Sequence, residues 1–356
     1  EPARKEIILP SQVNGYNIYK SDLHTHSVYS DGSVTPQFRV KEAWLDGMDV
    51  MAVTEHIEHR PAEAEMALYL ENLIDKKHEK IVARYKDGKK PGKDASLVDL
   101  NTAVRLAQAS AEGYGLTIIP GLEITRSASE VGHFNALFTT DNNLIYDKDP
   151  YKAILNAKAQ GALIQHNHPG WRRTEVGYNE FQEKIYGEGL VDGVEVVNTA
   201  EIYPSITDRC NNNGLFISAN TDVHAATAAQ YGNHRETRPM TLVFANDKSL
   251  ESVREALEAC RTLAFAYGNL WGAEQLLKDL FLACVKVEHV TGSKYLVTNI
   301  SSIPFLVAVP GKNPVHIDPS TSFFFSVPKN GSAITLELRN MWSGAETHPT
   351  VELIVK

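Results

Sequence analysis

The chain has 356 residues, 43% apolar and 22% charged, a balance ordinary for a globular protein with room for a large catalytic domain and a smaller second one. Its net charge of −9 and pI near 5.8 argue against a protein that tracks along nucleic acid, which needs a basic face. No run of about 18 apolar residues is present to span a membrane.

In chain order, Tyr16 to Leu23 read as a first strand that delivers His24-Thr25-His26, with Asp31 on the loop beyond. Histidines two apart at a strand end face the same side, so both imidazoles can reach one ion. Thr35 and Pro36 have the chemistry of an N-cap and a first helical position, and Gly47 that of a helix stop, which predicts a helix through Trp44 and Leu45. A second strand, Val50 to Thr54, ends in Glu55-His56-Ile57-Glu58-His59. A charged, mostly helical excursion follows from about Pro61 to Gly113, broken at Lys86 to Lys93 by a basic loop expected to be a solvated turn.

Leu116 to Leu122 delivers Glu123, and His133 opens a fourth strand after Gly132. A helix around Tyr151 to Gln160 precedes Ala162 to Gln165, which ends in His166-Asn167-His168-Pro169. Val194 to Asn198 is the next strand; Leu215 to Ala219 delivers Asp222-Val223-His224; Thr241 to Ala245 closes the series before a helix over Ser252 to Arg261. This alternation predicts an α/β domain with a largely parallel sheet. If the sheet closes into a barrel, the C-terminal strand ends meet at one mouth, and here strand after strand ends in His, Asp or Glu.

From about Cys284 the helical period disappears, and short β-rich runs between Gly, Pro, Asn and Ser turns predict a small sandwich of immunoglobulin-like type. The expected division is a catalytic domain over 1–270, a bridge over 271–283 and a β-sandwich over 284–356. Cys210, Cys260 and Cys284 lack C-x-x-C spacing and read as buried thiols. The first residue is Glu1 rather than methionine, so removal of a leader and a periplasmic or secreted location are the expectation, with a cytoplasmic one as the alternative.

His24, His26, Asp31, His56, Glu123, His133, His168, Asp222 and His224 together supply six imidazoles and three carboxylates, enough for two or three divalent ions. Nitrogen and oxygen donors without thiolate suit Zn²⁺, Mn²⁺ or Fe ions.

The motifs His24-Thr25-His26 with Asp31, Thr54-Glu55-His56, Glu123 at a strand end, Gly132-His133, His168-Pro169 and Asp222-Val223-His224 resemble, in order, those of the polymerase and histidinol phosphatase (PHP) superfamily of metal-dependent phosphoesterases. The resemblance covers residues from about 17 to 270 and implies a distorted seven-stranded β/α barrel with a trinuclear cluster at its mouth. With its β-rich tail the chain is similar to bacterial PHP phosphodiesterases that carry a C-terminal immunoglobulin-like domain. It implies one metal on His24, His26, Glu123 and Asp222, a second on the bridging Glu123 with His133 and His168, and a third on Asp31, His56 and His224. Asp31 stands where some members have histidine, and Glu55 where aspartate is commoner.

The implied activity is hydrolysis of a small anionic phosphate ester, a diester by preference, through a metal-bridged hydroxide. Glu123, Asp222 and His59 would be catalytic, and Arg126, Arg172 and Arg173 would meet the substrate. His166 is expected behind the ligands; Glu195, Asn198 and His234 are further candidates to touch substrate. Two rival readings use the same residues: a carboxylic or carbamic ester hydrolase, and a non-catalytic metal-stabilised binding module. No long nucleic acid is expected as a partner, and the partner of the β-domain is left open.

Overall fold

The computed structural model describes residues 3–61, 99–231, 237–327 and 332–354. The expected loop at Lys86 to Lys93 and His234 lie outside the described residues. One large sheet organises the molecule. Its strands are β1 (Asn17–Asp22), β2 (Val50–Val53), β3 (Thr117–Thr125), β4 (His133–Leu137), β5 (Leu163–Asn167), β6 (Gly193–Asn198), β7 (Glu201–Ile202), β8 (Phe216–Asn220), β9 (Met240–Ala245), β10 (Thr262–Ala266) and β11 (Asn269–Gly272), joined by a later strand near the C-terminus.

Local chemistry sets the connections. The Thr35 hydroxyl accepts the Phe38 amide, Pro36 occupies the first turn, and the helix Pro36–Leu45 ends before Gly47 at φ +88°. A Cβ on Gly47 would lie 2.8 Å from the Lys5 carbonyl oxygen, so this turn needs glycine twice over. Helices Thr102–Ala111, Pro150–Ala159 and Leu250–Glu258 supply outer-layer packing through residues such as Ala107, Ile154 and Leu257.

The sheet departs from the expectation in size and direction. It has twelve strands, not seven, and is parallel only in stretches. The β1–β2–β3 and β5–β6–β8 pairings are parallel, whereas β4 is antiparallel to both β3 and β5, and β9 to both β1 and β10. The loop between β3 and β4 is too short for a helical crossover, which forces reversal. The β10–β11 hairpin turns on Tyr267 and Gly268, both at positive φ, a geometry that suits the strand twist.

The sheet curls until β8 lies beside β9, β10 and the end of β1. There, side chains replace a backbone ladder: Thr241 Oγ1 accepts Ala219 N and donates to Ala219 O, and Thr262 Oγ1 does the same for Ile217. At the mouth the seam becomes main chain, with Asp222 N donating to His24 O and His26 N to Val223 O.

Beyond β11, helix Glu274–Cys284 runs directly into β12 (Val285–Thr291). With β13 (Lys294–Asn299), β14 (Phe305–Ala308), β15 (Val315–Ile317), β16 (Ser322–Ser326), β17 (Ala333–Leu338), β18 (Met341–Trp342) and β19 (Thr350–Ile354), it builds two all-β sheets, ordered β12-β13-β16 and β15-β14-β17-β19. β18 leaves them and pairs with β11, becoming the twelfth strand of the large sheet. Leu277, Leu280 and Phe281 share one buried cluster with Leu263 and Leu270 on one side and Phe305 and Leu338 on the other. No helix among the described residues is long and apolar enough to cross a membrane.

Candidate metal centre

The strand ends converge as the topology requires. His24 and His26 follow β1, His56 follows β2, Glu123 lies near the end of β3, His133 opens β4, His168 follows β5, and Asp222 and His224 follow β8. Two of these residues turn out of their strands with left-handed backbone, His168 at φ 26° and Asp222 at φ 49°. Such conformations are costly without glycine and persist where surrounding contacts hold them.

Three groups of donor atoms result. His24 Nε2 and His26 Nε2 face each other at 3.1 Å, with Asp222 Oδ1 at 3.2 and 3.0 Å from them and Glu123 Oε2 at 3.7 and 3.5 Å. Glu123 Oε1 turns to the second group, 3.1 Å from His133 Nδ1 and 3.6 Å from His168 Nε2. In the third, Asp31 Oδ1 lies 3.4 Å from His56 Nε2 and 3.1 Å from His224 Nε2, and the His26 ring belongs to the same group. All nine predicted ligands are thus brought together, and Glu123 stands between the groups.

The donor chemistry fits divalent cations. Asp31 Oδ1, Glu123 Oε2 and Asp222 Oδ1 are buried without a hydrogen-bond partner, one orphaned carboxylate oxygen for each predicted acidic ligand. A buried acceptor aimed at other lone pairs is expensive unless a cation joins them. The site's own charges record the same tension. Burial opposes ionisation of Glu123 and Asp222, yet the surrounding imidazoles hold both well below the usual carboxylate range. Burial opposes charge on His24, but Asp222, Glu195 and Glu123 hold it well above the ordinary histidine value.

A polar scaffold behind the ligands was only partly legible. Glu195, fully buried on β6, places Oε1 2.9 Å from His24 Nδ1 and accepts the His168 amide through Oε2 at 2.7 Å. Asn220 and Asn198 donate to its two oxygens. Asn167 Nδ2 donates to Glu123 Oε1, and Ser30 Oγ lies 3.2 Å from His26 Nδ1. Ser30 in turn donates to Glu55, which also accepts from Ser27, so this glutamate braces the His26 loop. The alternation of inward residues on β5, β6 and β8 was the available signal: Gln165, Asn167, Glu195, Ser218 and Asn220 are all polar within apolar strands.

Arg39 is the least anticipated member. It is 1% exposed and donates to the carbonyls of His26, His224 and Ala225, tying two ligand loops together, while pairing with Glu42.

The remaining predicted residues fall at the rim. His59 Nε2 is 3.5 Å from Asp31 Oδ2 with its side chain about one-third exposed. Arg126 is held by Glu58 and the Asp147 carbonyl, and Arg173 donates to Pro169 O, Gly177 O and Gln182 Oε1. Arg172 is exposed, with its guanidinium 4.3 Å above the Trp171 ring. His166 points away from the cluster, stacking on Phe134 with Nδ1 2.9 Å from the Tyr186 hydroxyl.

A model of the PHP domain matches residues 22–197. A search of curated proteins gives no match. Among solved structures, a two-domain protein from Bacteroides vulgatus, described as containing a predicted PHP-like metal-dependent phosphoesterase, is similar over 100% of both chains at 30% identity and a TM-score of 0.83. A candidate metal-dependent phosphoesterase from Bifidobacterium adolescentis is 15% identical over 71% of this chain and 97% of its own, with a TM-score of 0.42. A lesion-specific endonuclease from Pyrococcus furiosus is 17% identical over 68% of this chain and 56% of its own, with a TM-score of 0.39. With the family's motifs gathered in one mouth and a match along the whole chain, this protein belongs to the PHP family of metal-dependent phosphoesterases.

Proposed function

We propose that the protein hydrolyses a small phosphate ester, preferentially a diester, at two or three Zn, Mn or Fe ions. The observation that carries this reading is the three orphaned carboxylate oxygens set among six imidazoles at one mouth. Ions held there would supply Lewis acidity and acidify a bound water towards neutral pH. His24, His26, Glu123 and Asp222 would hold the first ion, Glu123 with His133 and His168 the second, and Asp31, His56 and His224 the third.

The chain supplies the rest. Glu123 fixes the spacing between the first two groups through its separate oxygens, and Glu195 keeps the His24 ring aimed by engaging Nδ1. His59, at the rim beside Asp31, donates a proton from Nε2 to the departing ester oxygen. Arg172 meets the anionic substrate from the outside. A net charge of −9 disfavours a polynucleotide, whose affinity grows with the phosphates that Lys and Arg neutralise.

For the C-terminal part we infer an immunoglobulin-like sandwich, supported by the strand order β12-β13-β16 against β15-β14-β17-β19.

The test is kcat/KM for a bis-aryl phosphate, an aryl phosphate and a short oligonucleotide under one metal condition. The diester should lead. A tenfold preference for the monoester, about 1.4 kcal/mol in transition-state stabilisation, overturns the diester assignment; no turnover of any phosphate ester by metal-replete protein overturns the whole reading.

A further inference from the structure

Next to the second group of ligands the chain forms a flat aromatic wall. The Trp171 ring lies 5.3 Å from His133 and 5.3 Å from His168, tilted against both. It is half-buried, so part of the indole stays open to a ligand.

The wall is rigidly built. Trp171 N donates to His168 O at 2.9 Å, so one tight turn fixes the indole to a metal ligand. Gly170 within that turn packs so closely on Tyr203 that a Cβ would lie 2.5 Å from its ring. Arg173 clamps the same loop through Pro169 O, Gly177 O and Gln182. Arg172 has left-handed backbone at φ 55°, an uncommon conformation for a long side chain, and its guanidinium covers the indole at 4.3 Å. A residue serving only to fill space needs none of this; a preorganised aromatic surface beside a reaction centre is how proteins hold a planar group at low entropic cost.

We propose that Trp171, with Arg172 stacked on it, is a subsite for a planar aromatic arm of the phosphate ester. Trp171 is a specificity-determining residue: it selects the organic arm, while the ligands act on phosphorus. The inference rests on the phosphate-ester reading above, but its test does not require turnover.

The experiment compares diphenyl phosphate and dimethyl phosphate, two diesters of equal charge, as ligands of metal-loaded full-length protein by calorimetry. Wild type should bind diphenyl phosphate at least fivefold more tightly. Trp171→Ala should abolish that preference with ion content unchanged, and Trp171→Phe should keep most of it. Equal affinities in wild type, or a preference that survives Trp171→Ala, overturns the subsite. Loss of ions from both variants also overturns it, because Trp171 would then only brace His133 and His168. Failure to hydrolyse diesters despite a Trp171-dependent binding preference instead overturns the proposed activity and leaves the subsite standing.

Discussion

Glu195 Oε1 lies 2.9 Å from His24 Nδ1, on the side of the imidazole opposite the ligand cluster. The other carboxylate oxygen accepts the His168 amide, so one buried acid steadies residues of two groups of ligands. Glu195→Gln should therefore weaken retention of both ions by about 10–100-fold, the usual cost of losing an orienting partner. Competition with a chelator, followed by metal analysis, measures it; an unchanged retention curve would remove Glu195 from the centre.

Glu123 and Asp31 should behave differently. Glu123 addresses two groups through separate oxygens, whereas Asp31 belongs to one. Glu123→Ala should abolish activity and lower the ion count at both sites; Asp31→Ala should remove the third ion and leave residual turnover. Metal content and kcat of both variants decide it, and equal mild losses refute the assignment.

Arg39 binds the loops of His26 and His224 together through their carbonyls. Arg39→Met leaves those carbonyls and Glu42 without their partner in a buried place, at a stability cost of about 1–3 kcal/mol. It should loosen the third ion before the other two. Stepwise chelation with a thermal melt separates this outcome from general unfolding, which would release all ions together.

Acid should act through His56. Burial disfavours its charge, but Glu123 and Asp31 outweigh burial and hold the imidazole up to about 10. Burial, with His56 and His224 nearby, pushes His26 down to about 3. An ion entering the third group at neutral pH must therefore displace a proton from His56 and none from His26, and His224, held against burial above the ordinary histidine value by Asp31 and Asp222, adds to the protons released. Affinity there should fall as pH falls, by up to about tenfold per unit for each proton displaced. The metal-free chain has the opposite trend. The stabilisation from charged His56 is fully present below the unfolded histidine value near 6.5 and is lost as pH rises through about 10. Calorimetric titrations in buffers of different ionisation enthalpy count the released proton, and melts of chelated protein read the stability.

Among its described residues the β-rich tail contributes no ligand, yet it shares a core with the large sheet through Leu277, Leu280 and Phe281 and lends it β18. Truncation before Val285 should expose Leu263, Leu270 and Phe281 and produce aggregation rather than a free catalytic domain. Light scattering of the truncated chain checks this; a monomeric truncation with full metal content would show the core to be separable.

The sequence by itself determined the chemistry and the punctuation of this protein. Ligand-type residues recur at strand ends, and period-two faces place His24 beside His26 without knowledge of any partner strand. Thr35, Pro36 and Gly47 mark a helix because capping and left-handed turns act within a few residues. The reversal of β4 follows from its short loop to β3, but the direction of β9 and the closure were decided only in three dimensions, where β9 runs against β1 and the threonines of β9 and β10 stand in for a ladder along β8. Those choices depend on partners more than 20 residues away, such as Thr241 with Ala219 and Thr262 with Ile217. The orienting roles of Glu195, Ser30, Asn167 and Arg39 were hidden for the same reason: each is an ordinary polar residue until folding buries it against an imidazole, a carboxylate or a carbonyl.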